Sequence, residues 1–194
     1  MIQQVEKAKA GFSAQVVELV RDATSGDVEA FGQLYDVYLD KIFRYVYYHV
    51  PDKMAAEDIS QEVFVKAWKA IKSCRGREDT FLAWLYRIAH NLMVDHHRRQ
   101  RSCRSLEAQC RSKMTNPTET TGLDSGELEL MQALRYLPEE HKNVIILKFI
   151  EGFSNQEIGR MLNKSQGAIR ITQMRALSRL RKHLAKTREG EDGT

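Results

Sequence analysis

The chain predicts an all-α fold built as two small helical domains joined by a flexible linker, and three observations carry that expectation. Only three prolines interrupt 194 residues. Apolar residues recur by threes and fours through long runs of helix formers, with no sustained alternation of the kind strands show. Between about Arg99 and Gly126 the pattern breaks into QRSCRSLEAQCRSKMTNPTETTGLDSG, rich in Ser, Thr, Asn and Gly and poor in large apolar residues, which is a linker composition. The expected divisions are residues 14–99, a linker over 100–126, and a second domain over 127–187.

Taken in order, VVELVRDAT forms a first helix that ends at the Ser25-Gly26-Asp27 break, and VEAFGQLYDVYLDKIFRYVYYHV forms the second. In the second, Phe31, Leu34, Tyr35, Tyr38, Ile42, Phe43, Tyr45 and Val46 gather on one face, which reads as core before it reads as a binding surface. Pro51-Asp52 stops that helix. MAAEDISQEVFVKAWKAI then starts another, with Ile59, Val63, Phe64, Ala67 and Trp68 inward and Glu57, Asp58, Gln61 and Glu62 outward. An acidic face is usually just solvated, yet beside basic surfaces it also suits a basic protein partner.

After the polar loop KSCRGRED comes TFLAWLYRIAHNLMVDHHRRQR, with Leu82, Leu85, Ile88, Ala89 and Leu92 on one side and Trp84, Tyr86, Arg87, Asn91, Arg98 and Arg99 beyond it. Rings interleaved with cations suit single-stranded nucleic acid, since every base has a face to stack and every phosphate a charge. Core and rim positions explain Trp84 and Tyr86 equally well from spacing alone. The first half of the linker is basic, through Arg98, Arg99, Arg101, Arg104, Arg111 and Lys113, so it either lies along a polyanion or is a solvated charge run.

The most telling stretch is EGFSNQEIGRMLNKSQGAIRITQMRALSRLRKH, residues 151–183, which reads as a short helix, a tight turn and a basic helix. Ser154 followed by Glu157 can form a capping box, Ile158, Met161 and Leu162 point inward, and Asn163-Lys164-Ser165 supplies a turn and a second cap. The helix after it exposes Gln166, Arg170, Thr172, Gln173 and Arg175, residue types that meet base edges in the major groove. Bundles with solvated faces contain such helices too. Charge decides the matter, because residues 142–188 hold eleven Lys or Arg against two acids while the whole chain is only +4.

The bulk numbers exclude other classes. A chain 42% hydrophobic and 29% charged is an ordinary soluble composition. It has no apolar run of signal-peptide length and none near the roughly 20 residues a membrane span needs, so a cytoplasmic protein without membrane insertion is expected. Three cysteines cannot all pair, and reduced thiols are expected. Cys103, Cys110, His96 and His97 match no structural zinc spacing, so no metal and no cofactor is expected. An enzyme acting through His90, Asp95, His96 or His97 is disfavoured, for no paired carboxylates, Gly-rich phosphate loop or triad accompanies them.

Laid end to end, AFGQLYDVYLDKIFRYVYYHV, AAEDISQEVFVKAW and TFLAWLYRIAHNLMVDHHRR resemble in order the parts of domain 2 of bacterial RNA polymerase sigma factors of the extracytoplasmic-function type. ALRYLPEEHKNVIILKFIEGFSNQEIGRMLNKSQGAIR resembles their domain 4, with its helix-turn-helix. The resemblance implies a non-enzymatic factor that binds core RNA polymerase, directs it to promoters and helps open the DNA. Residue by residue it assigns Asp58, Gln61 and Glu62 to polymerase docking. It assigns Arg75, Trp84, Arg87, Asn91, Arg98 and Arg99 to the melted −10 element, and Lys164, Ser165, Gln166, Arg170, Thr172, Gln173 and Arg175 to the duplex −35 element. It also implies an anti-sigma protein as a further partner, which no residue here identifies. Where the family often carries Lys-Ser-Arg-Leu in the reading helix, this chain has Arg170-Ile171-Thr172-Gln173, so sequence preference does not transfer. The rival reading is a conventional helix-turn-helix regulator that binds duplex DNA with no polymerase contact.

Overall fold

The computed structural model describes residues 2–50, 52–74, 80–107 and 125–191, and among these every regular element is helical. In order they are α1 (Ile2–Ser25), α2 (Val28–His49), α3 (Lys53–Ala70) with a 3-10 turn over Ile71–Cys74, α4 (Phe81–Glu107), α5 (Ser125–Arg135), α6 (Glu139–Ile145) continued by a π-helical turn over Ile146–Ile150, α7 (Asn155–Leu162) and α8 (Gln166–Glu191). The chain divides into two compact units, Met1–Val46 with Lys53–Leu106 and Tyr47–Asp52 with Glu107–Thr194.

In the first unit the Ser25-Gly26-Asp27 break is what the sequence predicts. Gly26 takes a left-handed φ of 106°, which costs glycine nothing, and Asp27 Oδ1 accepts from the backbone N–H of Glu29 (2.9 Å) and Ala30 (3.2 Å), starting α2. Two helices outrun their predicted limits. α1 begins at Ile2 rather than Val16, because the Gln, Glu, Lys and Ala before it are good helix formers. α4 continues past Arg99 to Glu107 through Gln, Arg, Ser and Leu, with no Pro or Gly to stop it, so the first eight residues of the expected linker are helical.

The core of this unit is the set of stripes the periodicity marks out. Leu34, Ile42, Tyr45 and Val46 from α2, Ile59, Val63, Phe64 and Ala67 from α3, and Leu85, Ala89 and Leu92 from α4 are buried. Phe31, Tyr35, Phe43, Trp68, Leu82 and Ile88 are half-buried at its rim. Ring pairs tie the helices together, Tyr35 against Phe64 at 4.8 Å and Tyr45 against Tyr86 at 4.9 Å between centroids, both edge to face. Tyr86 is 1% exposed, so this ring is core and not a stacking platform. Cys74 is buried in the 3-10 turn; Cys110 lies outside the described residues.

In the second unit α8 packs against α5, α6 and α7. Val144, Ile145, Ile146 and Leu147 are all buried, four in a row, so the junction of α6 and the π turn is wrapped on every side. The wide turn closes with Glu151 N–H donating to the Ile146 carbonyl at 3.0 Å. Gly152, at φ 79°, then lets Phe153 N–H reach back to the Leu147 carbonyl.

Candidate nucleic-acid interface

The predicted capping box opens α7. Glu157 N–H donates to Ser154 Oγ at 3.2 Å, and Ser154 N–H donates to Glu157 Oε2 at 2.7 Å. Those hydrogen bonds from Ser154 hold the Glu157 carboxyl below its usual range. α7 ends at Asn163, left-handed at φ 54°, a conformation Asn tolerates. The chain then folds back so closely that Lys164 N–H donates to the Gly159 carbonyl at 2.8 Å, and a Cβ on Gly159 would lie 2.6 Å from the Lys164 carbonyl oxygen. Ser165 Oγ accepts from Ala168 N–H at 3.2 Å and caps α8. The two helices and the short turn between them are thereby held at a fixed angle, the form in which a second helix enters the major groove.

The structure sorts the seven residues predicted for this site. Gln166, Arg170 and Arg175 are exposed on α8. Ser165 is exposed and acts as the cap, while the Lys164 ammonium is tied to Glu140 Oε1, a bond that in turn lowers the Glu140 carboxyl. Thr172 and Gln173 are not exposed as predicted. Thr172 is 7% exposed, on the buried stripe by which α8 packs. Gln173 is half-buried and its Oε1 accepts from Asn155 Nδ2 at 3.2 Å, so its amide braces α7 against α8. The signal was in the spacing, since Ile169, Thr172 and Ala176 form the buried i, i+3, i+7 stripe of α8. In place of Thr172 and Gln173 the outer face presents Ile171 and Met174, which residue type alone did not single out.

On α4, at about 100° per residue, Trp84, Arg87, Asn91 and Arg98 fall on one line. Arg87, Asn91 and Arg98 are exposed, and Trp84 is half-buried with its ring 5.8 Å from that of Phe81. Exposed Val94 completes the line, and Arg98 also reaches Asp95 at 3.2 Å. Arg99 is exposed but lies about 100° around the helix from Arg98. Arg75 lies outside the described residues.

On α3, Asp58, Gln61 and Glu62 are exposed as predicted, and Glu62 pairs with Lys66 at 3.2 Å along the same helix. Two exposed apolar side chains that composition missed, Met54 and Val65, 77% and 50% exposed, stand at either end of this polar face. Apolar atoms flanked by acids make a better protein-docking surface than charge alone. Among the described residues no three His, Cys, Asp or Glu side chains gather as metal ligands, and no helix is long and apolar enough to cross a membrane.

A helix-turn-helix on a basic unit, in a chain whose other helical unit carries exposed cations beside a half-buried ring, has the outline of a nucleic-acid-binding protein. Comparison with known proteins narrows this. The Sigma-70 region 2 family matches residues 34–103 and the Sigma-70 region 4 family residues 133–182. The chain is 36% identical over 172 residues to the ECF RNA polymerase sigma factor BldN of Streptomyces coelicolor, covering 87% of this chain and 65% of that protein. It is 31% identical to the ECF RNA polymerase sigma factor SigX of Bacillus subtilis, covering 83% of this chain and 87% of that protein. Among solved structures, CnrH in complex with the cytosolic domain of CnrY superposes with a TM-score of 0.68 at 26% identity, covering 89% of this chain and 98% of CnrH.

The chain belongs to the extracytoplasmic-function family of RNA polymerase sigma factors. It binds core RNA polymerase and directs it to promoters. The match over residues 34–103 disfavours a regulator that works through duplex DNA alone.

Proposed function

We propose that the three exposed faces divide the work of initiation. The Met54, Asp58, Gln61, Glu62 and Val65 face of α3 docks core polymerase. The Trp84, Arg87, Asn91, Arg98 line of α4 takes the separated strand of the −10 element, with Arg99 and Arg75 as flanking phosphate contacts. The outer face of α8, through Gln166, Arg170 and Arg175, reads the −35 element as duplex, while Ser165, Lys164, Thr172 and Gln173 position that helix. The observation that carries this reading is the contrast between two cationic helices. α8 projects from a helix-turn-helix shaped for a groove, whereas α4 offers a half-buried ring beside exposed cations, which suits unstacked bases. Work with core polymerase makes the cytoplasm its site of action, and an anti-sigma protein is the regulatory partner the family assignment supports.

The test is reconstitution. Core polymerase and the purified chain should co-elute in gel filtration at moderate salt and initiate at defined start sites, with permanganate-reactive thymines upstream of them. A soluble, folded chain that neither co-elutes nor redirects initiation would sink the assignment of the α3 face and of everything downstream of it.

A further inference from the structure

Two exposed apolar side chains sit in the middle of the surface assigned to duplex reading. Ile171 is 47% and Met174 is 67% exposed, although Ile169 and Ala176 on the same helix are fully buried. Stepping about 100° per residue around α8, the order across the outer face is Arg170, Met174, Ile171, Arg175, with the apolar pair inside and a guanidinium on either edge. From Arg170 to Arg175 the helix rises only about 7.5 Å, so the four side chains form one patch.

A helix seated in the major groove brings its outermost residues to the base edges and its flanks toward the two phosphate walls. Arg170 and Arg175, on the flanks, have charge for phosphate or for guanine acceptors. Ile171 can satisfy no donor or acceptor and the Met174 thioether is only a weak acceptor, so against a hydrogen-bonding base edge they would strip water and return little. One apolar group exists on the major-groove floor, the C5 methyl of thymine. We propose that Ile171 and Met174 select A·T pairs in the recognised duplex by packing on thymine methyl groups, which makes them specificity-determining residues of α8. This rests on the reading of α8 as the duplex reader. The flanking arginines favour DNA as the occupant over an apolar protein surface, which would leave both cations without partners.

The test uses the holoenzyme formed with core polymerase. Duplexes are selected from a pool randomised over the −35 region, and each thymine of the best binder is replaced in turn by deoxyuridine, which removes only the methyl. One or two thymines should prove sensitive, each replacement weakening binding roughly fourfold, the value of about one buried methyl group. In Ile171→Ala and Met174→Ala, exposed helix positions where Ala keeps the helix, that sensitivity should disappear while Arg170→Ala retains it. A flat uracil scan on a selectively bound duplex overturns the proposal and leaves the reading of α8 standing, as does an unchanged scan in both apolar variants. If no duplex is enriched and Arg170→Ala binds like the native chain, α8 is not the reader and both ideas fall.

Discussion

Replacing Gly159 by Ala is the sharpest test of how the turn between α7 and α8 is held. The added Cβ would stand 2.6 Å from the Lys164 carbonyl oxygen, against 3.4 Å for an ordinary contact, and the obstacle is backbone that no rotamer change can move. Relief must come from parting the two segments by about 0.8 Å, which strains the 2.8 Å hydrogen bond from Lys164 N–H to the Gly159 carbonyl. Overpacking of this kind costs about 1–3 kcal/mol and the weakened hydrogen bond about 1 kcal/mol. Against this stands a gain of about 1 kcal/mol from exchanging Gly for Ala within a helix. The expected net loss is about 2 kcal/mol, which for a unit of this size lowers the melting temperature by roughly 8–16 °C. Gly32→Ala supplies the control, because nothing lies within 4 Å of a Cβ there and the helix gain should appear alone. Calorimetry on the full chain should show the domain 4 transition falling in the first variant and the domain 2 transition holding or rising in the second. A Gly159→Ala protein that melts at or above the native temperature would refute the argument that close backbone approach fixes this turn.

Four further outcomes are expected. Ser154→Ala should cost about 1 kcal/mol by removing the α7 cap. Because Ser154 holds the Glu157 carboxyl below its usual 4.5, the stabilisation from that pair is complete above that pH and is lost as pH falls through the lowered folded value. The advantage of the native chain over Glu157→Gln in urea midpoint should therefore shrink in acid, and a gap that does not change with pH would argue against the box. Reversing Asp58 and Glu62 to Lys should weaken association with core polymerase by several kcal/mol, on the order expected of like-charge clashes in a complementary interface, with circular dichroism unchanged; native affinity in the folded double variant would move docking elsewhere. On α4, Arg87→Ala should reduce affinity for a single-stranded −10 oligonucleotide and lower its salt slope by about 0.7 for each phosphate no longer neutralised, more than Arg99→Ala does. Trp84→Ala should slow opening, read by permanganate, while mobility shift of a −35 duplex stays native; equal losses in both assays would return that ring to the core.

The parts of this molecule written in local chemistry were legible in the sequence. The Ser154–Glu157 box, the Asn163 turn, the Ser165 cap and the Gly26-Asp27 break depend on a few adjacent residues, and each is where the pattern placed it. Helix ends were less legible, because the polar but helix-competent run after Arg99 carries no stop signal and continues to Glu107. The least legible step was the choice between inward and outward polar residues. Thr172 and Gln173 look like base readers by type, yet Thr172 is buried and the Gln173 amide is used against Asn155. Tyr86, set beside Trp84 by sequence, belongs to the core because it meets Tyr45 from another helix, a contact no local pattern contains.

The four consecutive buried side chains Val144 to Leu147 bear on how such a protein can diversify. A helical turn with no solvent face offers no site where a substitution is neutral, and the π turn that follows it is a phase shift, so deleting one residue of Ile146–Ile150 would rotate everything after it by about 100°. Change is channelled outward. On the proposed reading of α8, descendants of this chain acquire new promoters by altering Arg170, Ile171, Met174 or Arg175 while the axle of the domain stays the same, which separates the residues that evolve specificity from those that keep it aimed.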